Sequence, residues 1–419
     1  MDNMPQILPV RQQAEVIYSV LRKRLDTILP SAMRAAHIDM WIILCQEDDY
    51  DPVFKTMIPM NAWAPILQML IFYDRGNEKS VERINLSMTD TGDLYDRPWK
   101  GVRHEEQWKQ LNQIIQERQP EQIGINIGGV NWAAGGLTYN LYRQLLEAIP
   151  STLVGNLVSA EKACEYWLMT LTNDELEVFN HVARIAHRLI SECFSPKSIT
   201  PGVTTTEDLE WIYWQLSSNL GLELAFKPFF RLIRRNSKKE TCPVEDKIIR
   251  RGDLLHCDVG IRYLRLNIDH QELAYVLQDG ETNVPEGFSR LLSEGNRLQK
   301  LFMKEFHIGL TGNQLLTNML SSARAQGIPN PRVYSHSLGL YLHQPGPLIG
   351  LPWEQEKCPG RGDVALGYNS CFTMELAVED DVAEWDSQKV RLSLEQDVKF
   401  TERGCEPLDG VQTSFHLIK

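Results

Sequence analysis

Five side chains of the kind that bind divalent cations are spread in order along the stretch from Arg251 to Lys399: Asp258, Asp269, His336, Glu375 and Glu395. Each stands among apolar, strand-forming neighbours, where an acid is costly unless it meets a cation or a proton. The fold must therefore bring them together. The first two lie in GDLLHCDVGIRYLRLNID, where a turn-prone Val-Gly follows Asp258 and an alternating segment ends in Asp269. Side chains alternate faces with a period of two, and residues on paired antiparallel strands can point the same way from neighbouring positions. Both carboxylates can then share one pocket. Leu254, Leu255, Val259 and Ile261 flank Asp258, and Leu264, Leu266 and Ile268 precede Asp269, so neither acid reads as part of a solvated face.

His336 opens HSLGLYLHQPGP, whose second histidine, His343, is closed off by Pro345 and Pro347. Glu375 ends the apolar run CFTME, and Glu395 interrupts VRLSLEQDVKF between Leu392, Leu394 and Val398. Taken singly, each acid reads as a strand-end ion pair. Five in order make a mixed oxygen and nitrogen ligand set, which suits Mn²⁺, Co²⁺ or Zn²⁺ better than Ca²⁺ and lacks the thiolates of a structural zinc site. His256 and His270 adjoin the two aspartates and are expected on the opposite faces of their strands, in structural roles.

The motifs GDLLHCDVG, NIDHQ, HSLGLYLHQPGP, FTMELAV and LSLEQDVKFT resemble those of the M24-type metallopeptidases: creatinase, prolidase, aminopeptidase P and methionine aminopeptidase. The corresponding family patterns read GDLVxxDxG, SDxTR, HGxGLxxHExP, FTxEPG and RxEDxVxVT. The resemblance is strongest to the Xaa-Pro peptidases. It covers about residues 160 to 419 with specific motifs and the whole chain more loosely. It implies an α+β chain whose C-terminal domain is a pita-bread fold, a curved antiparallel sheet covered by helices. A smaller creatinase-like N-terminal α/β domain precedes it.

The resemblance further implies two divalent metal ions, Mn first and Co or Zn as alternatives. Asp258 holds one, Asp269 and Glu395 bridge both, and His336 and Glu375 hold the second. Glu375 also takes a proton, and His343 binds substrate and stabilises the oxyanion. The implied activity is an exopeptidase hydrolysing the Xaa-Pro bond of peptides or dipeptides through a metal-activated hydroxide. Alternatives are an amidohydrolase or peptidase of other specificity on the same site, and a non-catalytic pita-bread binding protein. The family's usual dimer, with the N-terminal domain of one subunit over its partner's site, draws attention to segments 47 to 54, 60 to 65 and 95 to 108.

Several positions depart from the pattern. No arginine follows the second Asp in NIDHQEL, Leu376-Ala377 replaces Pro-Gly, and Ser393 stands two before the last Glu where arginine is usual. Thr241 or Cys242 stands where the family carries an upstream histidine. The metal positions are kept while part of the substrate-facing shell is not.

Composition sets outer bounds. A chain of 419 residues, 43% apolar and 23% charged, is long enough for two cores. A net charge of −12 argues against nucleic acid or an anionic membrane surface as partner and leaves small molecules or peptides, of which the resemblance implies a peptide or dipeptide. Eight cysteines without a CxxC pair read as reduced thiols of a cytoplasmic protein. The N-terminal MDNMPQILPVRQQAEV lacks the layout of a leader, and no apolar run is long enough to span a membrane.

Along the chain, residues 11 to 37 have apolar positions at helical spacing, with Pro30 expected to break or restart the helix. Strand candidates at 39 to 45, 65 to 74, 81 to 88 and 122 to 128 alternate with helical segments, as an α/β domain requires. The domains are expected at 1–157 and 158–419.

Overall fold

The computed structural model describes residues 5–76, 80–101 and 103–419. Residues 1–4 of the N-terminal stretch and Val102 of the 95 to 108 segment lie outside the described residues. The chain forms two compact units. One comprises Leu8–Thr172 with Gln344–Gly346, and the other Met1–Ile7, Asn173–His343 and Pro347–Lys419.

The first unit contains α1 (Val10–Ala35), β1 (Met40–Gln46), α2 (Pro52–Met57), β2 (Leu67–Tyr73), β3 (Glu82–Asn85), α3 (His104–Arg118), β4 (Ile123–Ile125), α4 (Tyr139–Ala148), β5 (Leu157–Ser159) and α5 (Glu161–Met169). The strands form one sheet in the order β3-β2-β1-β4-β5. β1 runs antiparallel to β2 and parallel to β4, as expected of an α/β layer. Pro30 does not interrupt α1. The ring removes one backbone donor, but Leu25, Ile28, Leu29, Ala32 and Met33 are buried on either side of it, so packing carries the helix through.

β5 and α5, beyond residue 157, belong to this unit. Arg24 donates to the Trp167 and Thr170 carbonyls and lies 4.4 Å over the Trp167 ring, which ties α5 to α1. Of the three segments singled out above, 47 to 54 is not a simple surface loop. Asp51 is buried and caps α2 through the Val53 and Phe54 amides.

The second unit begins with α6 (Asn173–Cys193) and α7 (Thr206–Asn219), the latter opened by a Thr205/Asp208 capping box. It continues with β6 (Glu223–Leu224), β7 (Phe229–Ile233), α8 (Asn236–Lys239), β8 (Leu254–Val259), β9 (Ile261–Tyr263), β10 (Leu266–Asn267) and β11 (His270–Val276). After α9 (Glu286–Glu305) and α10 (Gly312–Ala325) come β12 (Arg332–Leu338), β13 (Leu348–Ile349), β14 (Ser370–Val382), β15 (Gln388–Thr401), β16 (Gly404–Pro407) and β17 (His416–Ile418). The main sheet runs β13-β12-β14-β15-β11-β8-β7, with β16 beside β15 and β17 beside β11. Apart from the parallel β11/β17 pair, its neighbours are antiparallel.

Alternation along β14 and β15 decides where the acids go. Phe372, Met374, Leu376 and Val378, with Leu392, Leu394, Val398 and Phe400, enter the core formed with α9 and α10. A Cβ on Gly295 of α9 would stand 2.4 Å from Leu394 Cδ1, so a larger residue there would oblige the Leu394 side chain to shift. The odd-numbered residues, Thr373, Glu375, Glu395 and Asp397, are thereby turned to the opposite face. This is a curved antiparallel sheet covered by helices, the pita-bread architecture.

Candidate metal centre

Strand register sets the acids in a row. Tyr334 of β12 pairs with Glu375 of β14, Glu375 with Glu395 of β15, Glu395 with Gln271 of β11, Gln271 with Asp258 of β8, and Asp258 with Phe229 of β7. Directly opposed residues project to the same side, so one level of the sheet carries Glu375, Glu395 and Asp258 across four consecutive strands. Asp269 enters from the end of the connection that precedes β11. Its backbone amide donates to Asp397 Oδ2 at 3.0 Å, which fixes where its side chain emerges.

Ligand atoms of Asp258, Asp269 and Glu395 lie within 4.8 Å of one another, as do those of Asp269, His336 and His343. Asp269 is thus common to both triples. Glu375 lies outside both and faces Glu395 across the β14/β15 pairing. His343, expected as a substrate contact, packs its ring edge-on to His336 with centroids 4.3 Å apart.

The electrostatics follow from burial. Asp258 is pushed up to about 7 by burial and then by Asp269, Asp269 to about 7 by burial, and Glu375 to about 8 by burial and then by Asp269. Glu395 and Asp397 are raised well above the usual carboxylate range, again by burial first and by Asp269 next. Left to themselves these acids hold protons, and cations would let them ionise. Asp269 Oδ1 and Glu395 Oε1 are buried without a hydrogen-bond partner, the condition in which a carboxylate oxygen is free to bind a cation.

Burial holds His336 down to about 3, so its imidazole is neutral. Its backbone amide bonds to Thr373 Oγ1 and its Nδ1 lies 3.2 Å from the Ser337 carbonyl. With Nδ1–H donated there, the Nε2 lone pair faces Asp269 Oδ2 at 3.7 Å. The donor chemistry therefore fits divalent metal.

Two further residues belong to the site. Gln271 donates from Nε2 to Glu395 Oε2 at 2.7 Å, and its Oε1 lies 2.7 Å from His256 Nε2. His256 therefore shares the Asp258 face, contrary to the expectation above, because two residues along a strand restore the face rather than invert it. Burial keeps it neutral, held down to about 4, and because an amide oxygen only accepts, Nε2–H is the donor to Gln271. His270 stacks on His187 at 4.4 Å. Glu272, also on the even side of β11, is held by His187 and His416.

Residues 177–402, more than half of the chain, match the model of metallopeptidase family M24. The chain belongs to that family. Solved structures similar to this M24 metallopeptidase include the X-Pro aminopeptidase from Thermotoga maritima, with 18% identity and a TM-score of 0.63 over 92% of this chain and 99% of that one. The Xaa-Pro dipeptidase from Bacillus anthracis has 16% identity and a TM-score of 0.60 over 96% and 100%. The prolidase from Pyrococcus furiosus has 17% identity and a TM-score of 0.56 over 92% and 98%. At these identities the likeness establishes the fold. A search of curated proteins finds no match. Among the described residues no helix is long and apolar enough to cross a membrane.

Proposed function

We propose that this metallopeptidase is an exopeptidase that hydrolyses the Xaa-Pro bond of short peptides at a dinuclear centre. The observation that carries the reading is the convergence of Asp258, Asp269 and Glu395 within 4.8 Å, with buried oxygens left unpartnered. In this reading Asp258 would hold one divalent ion, Asp269 and Glu395 would serve both, and His336 with Glu375 would hold the second. Mn²⁺ is the first choice, with Co²⁺ and Zn²⁺ as alternatives. When bound, such a pair of cations supplies Lewis acidity and a water acidified to near neutrality.

The chain's own groups do the rest. Glu375, which faces Glu395 across the β14/β15 pairing, receives the proton given up by the attacking water. His343, beside His336, donates a hydrogen bond to the oxygen that develops negative charge. Gln271 keeps Glu395 oriented, and the amide of Asp269 is anchored on Asp397. The similar structures include an X-Pro aminopeptidase and an Xaa-Pro dipeptidase, which supports proline in the second position.

The test is Ala-Pro hydrolysis by Mn²⁺- or Co²⁺-loaded protein. Glu375→Gln should lose it by about 10²-fold or more, the usual scale for a general base. Undiminished turnover in that variant would refute the assignment. We infer, too, that the enzyme works as a homodimer, as the resemblance implies, in the cytoplasm, as its unpaired cysteines suggest; size-exclusion chromatography and fractionation would check both.

A further inference from the structure

The edge strand β7 carries a charge that the catalytic reading leaves unused. Phe229 pairs with Asp258 and Arg231 with His256, so both project to the carboxylate face of the sheet. Phe230, between them, is buried on the other face against Phe194 and Tyr213. Arg231 is exposed, and Phe229 beside it is 40% exposed.

Other arginines of this region are engaged. Arg234 is locked on Asp253, Arg235 on Asp386 and Arg250 on Asp246. Among the described residues the Arg231 side chain makes no hydrogen bond or ion pair. It stands beside the acids by register: Arg231 opposes His256, two residues before Asp258 on the same face, and His256 bonds the Gln271 that holds Glu395. A planar, permanently charged donor that borders an acid cluster without bonding to any of its acids is available to an anion brought by a ligand. Once cations neutralise the cluster, that charge is no longer offset by it.

We propose that Arg231 recognises a carboxylate of the substrate, so that the preferred ligands are peptides carrying a free carboxylate at the mouth of the site. This rests on the peptidase reading above. The carboxylate has two sources, the C-terminus of a dipeptide or an acidic side chain, and the peptides of the test separate them.

Metal-loaded wild type, Arg231→Gln and Arg231→Lys are compared on two pairs: Ala-Pro against Ala-Pro amide, and Glu-Pro amide against Gln-Pro amide. Wild type should favour the acid of one pair by about 10- to 100-fold in kcat/KM, carried by KM, as loss of a charged hydrogen bond implies. Arg231→Gln should erase that preference and Arg231→Lys restore part of it. A preference that survives in Arg231→Gln, or wild type that favours neither acid, overturns the proposal. If wild type turns over none of the four, the peptidase reading fails instead. Calorimetric binding of the same peptides to metal-loaded protein then decides: acid-selective binding lost in Arg231→Gln upholds the proposal, and binding without acid selectivity overturns it.

Discussion

Replacing Glu375 by glutamine should stabilise the metal-stripped protein at pH 8 while leaving it almost unchanged at pH 5. Burial, then the charge of Asp269, pushes Glu375 up to about 8 in the folded chain, against the 4.5 of an ordinary glutamate. A carboxyl with a raised folded value binds its proton more tightly folded than unfolded. The penalty for leaving it ionisable is therefore absent below the unfolded value, grows as pH rises, and levels off once pH passes about 8. Glutamine is a close copy of the protonated acid and carries no such penalty.

Between pH 5 and 8 the difference amounts to about 1.4 kcal/mol per pH unit, or about 4 kcal/mol at most. Water entry and adjustment of the neighbouring acids reduce this to about 2–4 kcal/mol. For a unit of this size that is about 4–16 °C in Tm. The buried histidines titrate in wild type and variant alike and cancel in the comparison. Glu272 does not interfere: despite burial, its hydrogen bonds from His187 and His416 hold it at about 2, so its contribution is lost only in acid, below the window.

The assay is differential scanning calorimetry of chelator-treated wild type and Glu375→Gln at pH 5, 6, 7 and 8, repeated with Mn²⁺. Bound cations should reverse the order at pH 8, because ligands bind them as carboxylates and only the wild type keeps all of its own. A constant offset between the two proteins from pH 5 to 8 without metal, or a wild type that is the more stable at pH 8 after stripping, would refute the reasoning.

Two other perturbations have defined outcomes. Gln271→Leu removes the donor to Glu395 Oε2 and should weaken Mn²⁺ binding by about 10- to 100-fold in calorimetric titration, whereas an unchanged affinity would remove Gln271 from the site. Arg234→Met strands buried Asp253, whose two oxygens Arg234 now engages with side chains 2% exposed on both partners. Urea unfolding should show a loss of about 3–5 kcal/mol, and a loss under 1 kcal/mol would mean that the pair is dispensable.

The acids that the sheet gathers on one face stand out in the sequence because each interrupts an apolar strand, a pattern that burial energetics seldom tolerates without a reason. Period-two alternation also carried more information than was drawn from it. Gln271 stands two residues after Asp269, His256 two before Asp258 and Asp397 two after Glu395, and all three serve the carboxylate face. Asp258 and Asp269 were expected as hairpin neighbours. The structure instead pairs Asp258 with Gln271, because β9 and β10 turn away into a separate sheet with β6 before β11 begins. Glu375 meets Glu395 within the β14/β15 hairpin, whereas register across strands far apart in sequence, such as Glu395 against Gln271, depends on long-range pairing that no local pattern encodes. Pro30 is a similar case, in which a local rule for breaking helices lost to the packing of α1.

The most direct test is a count of bound metal. Wild type dialysed against Mn²⁺ and analysed by elemental mass spectrometry should retain about two ions per chain, the number expected of a centre that shares carboxylates. Asp269→Asn, which alters the residue common to both ligand triples, should retain less than one while keeping its fold by circular dichroism. A wild type that retains none, or an Asp269→Asn protein that holds as much metal as wild type, would contradict a dinuclear centre built on these side chains.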